Sequence, residues 1–127
     1  MMNNNPLKIV RVYYQVKVDD LERSTNFYKD IFGFEISLYV GPELGWAEST
    51  LPGGLGLGHN LRLPGQDHPP SWGALTLEVE NLKFAWDYLK KKGLEVTEII
   101  ETPNVNFFNT KDSEGNSLQI VQIPKRD

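Results

Sequence analysis

Two histidines, His59 and His68, are the only imidazoles this 127-residue chain offers a metal or a proton transfer, and it has no cysteine. Without cysteine there is no thiolate nucleophile, no disulfide and no Cys-type zinc site. No Ser/His/Asp arrangement and no His-Glu-x-x-His helix is present. Gly53-Gly54-Leu55-Gly56-Leu57-Gly58 follows a turn and opens no helix, so it makes a poor phosphate cradle. What remains is a set of polar residues alternating along predicted strands. Tyr13, Gln15 and Lys17 share one strand face; Ala74, Thr76 and Glu78 share another. Lys17 and Glu78 hold equivalent places in two similar stretches, and they read as either a rim salt bridge or a proton-transfer pair.

Those stretches belong to two copies of one unit. Val16-Lys17-Val18-Asp19-Asp20-Leu21 is answered by Leu77-Glu78-Val79-Glu80-Asn81-Leu82. An aromatic helix follows each, carrying Phe27 and Tyr28 or Trp86 and Tyr88. Then come Gly33-Phe34-Glu35-Ile36 and Gly93-Leu94-Glu95-Val96, the second copy shorter by a single residue. A tandem repeat predicts a pseudo-symmetric fold with a site where the copies face each other.

In the first copy, alternation over 8–18 puts Val12, Tyr14, Val16 and Val18 on one strand face. Asp19 with Glu22 reads as a capping box, Leu21, Tyr28 and Ile31 form the apolar stripe of a helix, and Gly33 stops it. Strands are expected around 34–40, 45–51 and 55–60. In the second copy Leu75, Leu77 and Val79 form the apolar strand face. Asn81 caps a helix bearing Leu82, Ala85, Trp86 and Leu89, and Gly93 ends it. Strands follow around 94–101, 105–110 and 117–123. The expected architecture is α+β, a single domain over 1–127. A first β-α-β-β-β module spans 8–62, a linker or flap 63–73, and a second module 74–123. Phe27, Tyr28 and Trp86 stand at core spacing. Trp46 and Trp72, beside Gly45 and Gly73, suit stacking on a flat ligand, packing or a dimer contact. Glu48 shares a strand face with Trp46. Of Phe107 and Phe108, one should face the helices and the other the opposite side.

The formal net charge is −4, and the only cluster of cations, Lys90-Lys91-Lys92, falls at a helix end where it complements the dipole. Nucleic acid is not an expected partner. The N-terminus lacks the features of a signal peptide and no run is long enough for a membrane helix, so a soluble, cytoplasmic protein is expected.

The pattern Val-x-Val-x-Asp-Leu-Glu-Arg-Ser-x-x-Phe-Tyr-x-x-x-x-Gly-Phe, from Val16 to Phe34, resembles the vicinal oxygen chelate superfamily. This group holds glyoxalase I, extradiol dioxygenases, fosfomycin resistance enzymes and bleomycin resistance proteins. Asp112-Ser113-Glu114-Gly115-Asn116-Ser117-Leu118-Gln119-Ile120 is similar to that family's closing motif. The resemblance implies paired βαβββ modules whose sheets form a cup, with one divalent metal held by His and Glu. Carried over residue by residue, the ligand positions fall on Tyr13, Gly56, Ala74 and Gln119. Glycine and alanine have no donor, glutamine is a weak one, and tyrosine ligates well only when ionised. No metal and no other cofactor is therefore expected.

The inward positions implied are Tyr13, Gln15, Lys17, Gly56, Gly58, Ala74, Thr76, Glu78, Ser117 and Gln119. His59 should lie on the opposite strand face from the cup and His68 in the linker, each reading as a surface or loop histidine. The resemblance with its lost ligands implies a metal-free binding protein that sequesters a small aromatic or cationic compound. It also implies a homodimer with each cup shared between chains. The expected ligand-binding set is Tyr13, Gln15, Trp46, Glu48, Gly56, Trp72, Thr76, Glu78 and Gln119. The alternatives are a divergent lyase, isomerase or dioxygenase and a small interaction domain with a collapsed cup. Such an enzyme would recruit Glu48, Glu78, Tyr13 or His68, or use Tyr13 or Glu78 as a metal-free acid or base.

Overall fold

Period-two alternation decides which side of each strand is covered, and the helices settle on the apolar side. The computed structural model describes residues 6, 11, 13–62, 64, 74–103 and 105–124. The first half contains β1 (Tyr13–Val18), α1 (Leu21–Phe32), β2 (Glu35–Gly41), β3 (Trp46–Thr50) and β4 (Gly56–Leu61). The second contains β5 (Leu75–Glu78), α2 (Leu82–Lys91), β6 (Ile100–Glu101), β7 (Asn106–Lys111) and β8 (Ser117–Gln122). The sheets have the same order, β1-β4-β3-β2 and β5-β8-β7-β6, with β1–β4 and β5–β8 parallel. The repeat read in the sequence is thus a repeat of topology: two βαβββ modules of α+β class.

Val16, Val18 and Leu57, with Leu21 and Tyr28 of α1, form a buried cluster that also takes in Leu75 and Leu118 of the other module. Leu82, Leu89, Phe108 and Ile120 make a second cluster under α2. Phe108 is therefore the helix-facing member of its pair, and half-buried Phe107 takes the opposite side of β7.

Three sequence expectations change. The α1 cap is Asp20, not Asp19; its carboxylate accepts from Arg23 N, and Glu22 sits free of a capping box in the first turn. Asp20 takes that role because it directly precedes Leu21 in extended backbone, with its carboxylate over Arg23 N, while the Asp19 side chain meets Arg62. The strand expected over 94–101 shrinks to Ile100–Glu101. Ahead of it Thr97 N still donates to Asn109 O, but the other contacts run through side chains: Asn109 N donates to Thr97 Oγ1, Thr110 Oγ1 to Glu95 O and Trp86 Nε1 to Thr97 O.

The third change concerns His59, which is neither surface nor loop. It lies fully buried on the helix side of β4, opposite Gly56 and Gly58, with Ser24 Oγ at 2.8 Å from Nδ1 and Ser49 Oγ at 2.8 Å from Nε2. Burial lowers its pKa to about 4, so the ring is neutral and both nitrogens are satisfied. His68 and Trp72, and the segment 63–73 apart from Pro64, lie outside the described residues. So do residues 8–10 and Val12 of the first strand expected over 8–18.

The turn after β7 joins the modules. Buried Asp112 accepts from Tyr28 Oη at 2.7 Å, from the amides of Glu114 and Asn116, and from Asn116 Nδ2. Burial, followed by the charge of Asp112, raises the Tyr28 pKa far above the ordinary phenol. Asn116 Nδ2 also donates to Lys17 O. The Glu114 carboxylate, shielded from solvent, receives Asp19 N and Asp20 N at the start of α1 and an ion pair from Arg23 Nε at 2.8 Å. Burial opposes the charge, but the bonds from Arg23, Asp19 N and Ser113 outweigh it and hold this carboxyl at about 2.

The signs predict acid sensitivity in two stages. The unfolded state takes up the His59 proton first, so stability falls as pH drops from 6.5 through about 4. A second loss follows between 4.5 and about 2, where Glu114 stays ionised only in the folded state. Glu114→Gln is expected to cost about 1–3 kcal/mol at neutral pH and to remove the lower stage. Urea-unfolding midpoints measured down the pH scale check both.

Candidate functional site

The strand faces turned away from the helices carry the remaining polar and aromatic groups. β1 and β4 pair Tyr13 with Gly56 and Gln15 with Gly58, while β3 pairs Glu48 with Gly58 and Trp46 with Asn60. Paired residues share a face, so Tyr13, Gln15, Trp46, Glu48, Gly56 and Gly58 stand together. This settles the direction of Glu48 and Trp46: both lie on the open side of the first sheet.

Gly58 explains how the indole sits. A side-chain carbon there would collide with Trp46 Cη2 and Cζ2, so the ring lies down over the glycine backbone. Trp46 Nε1 donates to Glu48 Oε2 at 2.8 Å, two residues along the same strand. The other Glu48 oxygen receives Arg11 Nη1 at 2.7 Å, and that guanidinium also stands 4.5 Å above the Tyr13 ring. Tyr13 meets Trp46 edge-on, centroids 6.2 Å apart at 70°. Gly56 gives Tyr13 its place, because a Cβ at position 56 would come within 3.0 Å of Tyr13 Cβ. Hydrogen bonds from Arg11, then from Trp46, hold the Glu48 pKa below the usual carboxylate range. Such a carboxylate is a poor proton acceptor and already carries its counter-ion.

In the second sheet Thr76 pairs with Gln119 and Glu78 with Val121, and β7 sets Phe107 and Asn109 beside them. Thr76 and Glu78 are exposed, as is Ala74 just ahead of β5. Lys17 and Glu78 occupy exposed, equivalent positions of the two sheets. The structure thus places the expected residues other than Trp72 in two groups, one per sheet, with the Tyr13–Trp46–Glu48 group linked by direct contacts. Arg11 was missed in the sequence, although the Tyr13–Gln15–Lys17 alternation extends back to it. Asn60, whose Nδ2 donates to Gln15 Oε1, was missed too, although it follows the glycines by the same period of two.

The residues present do not suit a divalent metal. Tyr13, Gly56, Ala74 and Gln119 supply one phenol and one amide between them. Among the described residues no group of three His, Asp or Glu side chains comes together. His59 is excluded as a substitute because its two nitrogens are bound to serines on the helix side. A separate concavity of about 460 Å³ lies on the helix side too, between Phe32 at the end of α1 and Phe84 and Tyr88 of α2.

The sequence matches the model of the Glyoxalase/Bleomycin resistance protein/Dioxygenase superfamily over residues 11–120. Solved structures share the fold at low identity. An antibiotic binding protein from Streptomyces sp. CB03234, TnmS3, superimposes with a TM-score of 0.73 at 24% identity, covering 91% of this chain and 98% of that one. A glyoxylase/bleomycin resistance protein/dioxygenase domain from Frankia sp. EAN1pec gives 0.73 at 21%, covering 91% and 92%. Lactoylglutathione lyase from Agrobacterium tumefaciens gives 0.72 at 15%, covering 89% and 92%. No curated protein matches the sequence. At these identities the likeness speaks for the fold alone.

Gly58→Ala is expected to lift the indole and break the Trp46–Glu48 bond, at a stability cost of about 1–3 kcal/mol. Near-UV circular dichroism should change while far-UV signal stays; an unchanged near-UV spectrum would show that the ring does not rest on position 58.

Proposed function

Starting from the glyoxalase/bleomycin resistance protein/dioxygenase superfamily, to which this chain belongs, we propose that it is a metal-free binding protein. It sequesters a small aromatic or cationic compound on the open sheet faces, as a homodimer. The observation that carries this reading is the exchange at the family's ligand positions: where the metal would be held stand Tyr13, Gly56, Ala74 and Gln119, beside an aromatic platform. Stacking on Trp46 with Tyr13 as an edge wall needs no metal, and flat ligands gain most from a surface already fixed in place. Because Glu48 is balanced by Arg11, the aromatic half of the reading has stronger support than the cationic half. The same pairing weakens the enzymatic alternative, since the best-placed carboxylate of the first sheet is no ready base.

Gln15 and Gly56 of the first sheet, and Thr76, Glu78 and Gln119 of the second, supply the polar and small positions that orient a ligand. No helix among the described residues is long and apolar enough to cross a membrane.

Elemental analysis of the purified protein, with a thermal-shift scan against divalent cations, tests the metal-free half. The expected result is no stoichiometric metal and no concentration-dependent rise in melting temperature. A stoichiometric metal would overturn it. For the binding half, thermal-shift screening against aromatic antibiotics should find a stabilising compound. Tyr13→Ala and Trp46→Ala should each weaken its uptake about tenfold while the far-UV spectrum is retained. Uptake that survives both changes would remove the platform from the site.

A further inference from the structure

The charge that the indole platform shows to solvent is opposite to the charge shielded beside it. The Glu48 side chain is 13% exposed, whereas that of Arg11, bonded to it, is 51% exposed. Both Glu48 oxygens are taken: Oε1 by Arg11 Nη1 at 2.7 Å, and Oε2 by Trp46 Nε1 at 2.8 Å and Arg11 Nη2 at 3.4 Å. A guanidinium has five N–H donors and no acceptor, so Glu48 leaves donors over for an oxygen-bearing ligand.

A second cation stands on the same face. Lys17 pairs with Asn60 across β1–β4 and Asn60 with Trp46 across β3–β4, which sets Lys17 in the row of the indole. It is exposed and enters none of the ion pairs among the described residues. Glu35 shares this side through Thr50, but at the opposite end of β3 from Trp46. Glu78 of the second sheet is itself engaged. On a chain of net charge −4, the aromatic surface is therefore bordered by the opposite sign.

We propose that the compound taken up is a planar aromatic anion, its ring stacked on Trp46 and its carboxylate held by Arg11. This rests on the aromatic-platform reading above and decides the charge of the ligand. Arg11 and Trp46 bond the same carboxylate, so a ring lying on the indole brings an edge substituent to the guanidinium. That planar fork matches a carboxylate in shape as well as charge. An ammonium group instead meets the exposed guanidinium before it can reach the shielded Glu48, a repulsion that sharpens the choice.

Isothermal titration calorimetry of the full chain, at neutral pH and low salt, provides the test with three compounds of one ring system: 2-naphthoate, 2-naphthalenemethanol and 2-naphthylmethylammonium. The wild type should bind the naphthoate about tenfold more tightly than the ammonium, with the alcohol between them. Arg11→Met should weaken the naphthoate about tenfold, leave the alcohol within about twofold, and strengthen the ammonium because Glu48 is uncovered. The wild-type order decides the matter even if Arg11→Met does not fold. Binding of the alcohol without preference for the naphthoate, or a naphthoate affinity indifferent to Arg11→Met, would overturn this inference and leave the platform standing. Failure of all three to bind would overturn the platform and this inference with it.

Discussion

One turn, Asp112 to Asn116, holds the two halves in their relation. A small α+β chain built as two repeats has a weak point where the repeats meet, because each half completes its own sheet. The chain meets this with two carboxylates from one turn. Asp112 takes the Tyr28 hydroxyl from the middle of α1, and Glu114 takes two free amides and an arginine at its start. Both are withdrawn from solvent, so losing either partner would leave a polar group unsatisfied. That cost, more than the strength of any one bond, fixes α1 against the second module. With α1 fixed, Val16, Val18 and Leu57 are covered, and the faces bearing Tyr13 and Trp46 are left open.

Much of this was legible in the residues. Tandem spacing gave the repeat, and alternation through Tyr13, Gln15 and Lys17 correctly separated the covered face from the open one. The Asp-Ser-Glu-Gly-Asn run could be recognised as a motif, but its purpose could not, since its partners Tyr28, Arg23 and Lys17 lie 84, 91 and 99 residues away in the chain. The cap was assigned one residue early because two adjacent aspartates offer the same signal, and only the position directly before Leu21 lets a carboxylate reach Arg23 N. His59 shows another limit. Its strand side was readable, but a buried histidine needs Ser24 from α1 and Ser49 from β3, and no local pattern announces that pairing. Strand 94–101 was overextended because its apolar alternation is real while, apart from Thr97 N to Asn109 O, its hydrogen bonds run through the side chains of Thr97, Thr110 and Trp86.

The candidate site was half legible. Tyr13, Gln15 and Gly56 follow from period two. That Trp46 lies flat on Gly58 does not, since it depends on the register of β3 against β4 and on a hydrogen bond to Glu48. Glycine at 56 and 58 first reads as spare volume. Both glycines instead make room for aromatic rings, and the second sets the height of the platform. The same face that in metal-holding relatives would need strong donors here offers ring surface and a neutralised carboxylate. A sheet face can serve either purpose without any change in fold.

Fluorescence titration of Trp46, in protein carrying Trp72→Phe and Trp86→Phe, tests the central claim most directly. The titrant is the neutral aromatic dye N-phenyl-1-naphthylamine, added with a chelator present throughout. The expected result is saturable quenching, unaltered by the chelator, with the dye's own emission enhancement weakened in Trp46→Phe protein of otherwise retained fold. Quenching that appears only when a divalent metal is restored, or dye that binds while Trp46 emission stays unchanged, would contradict a metal-free aromatic platform.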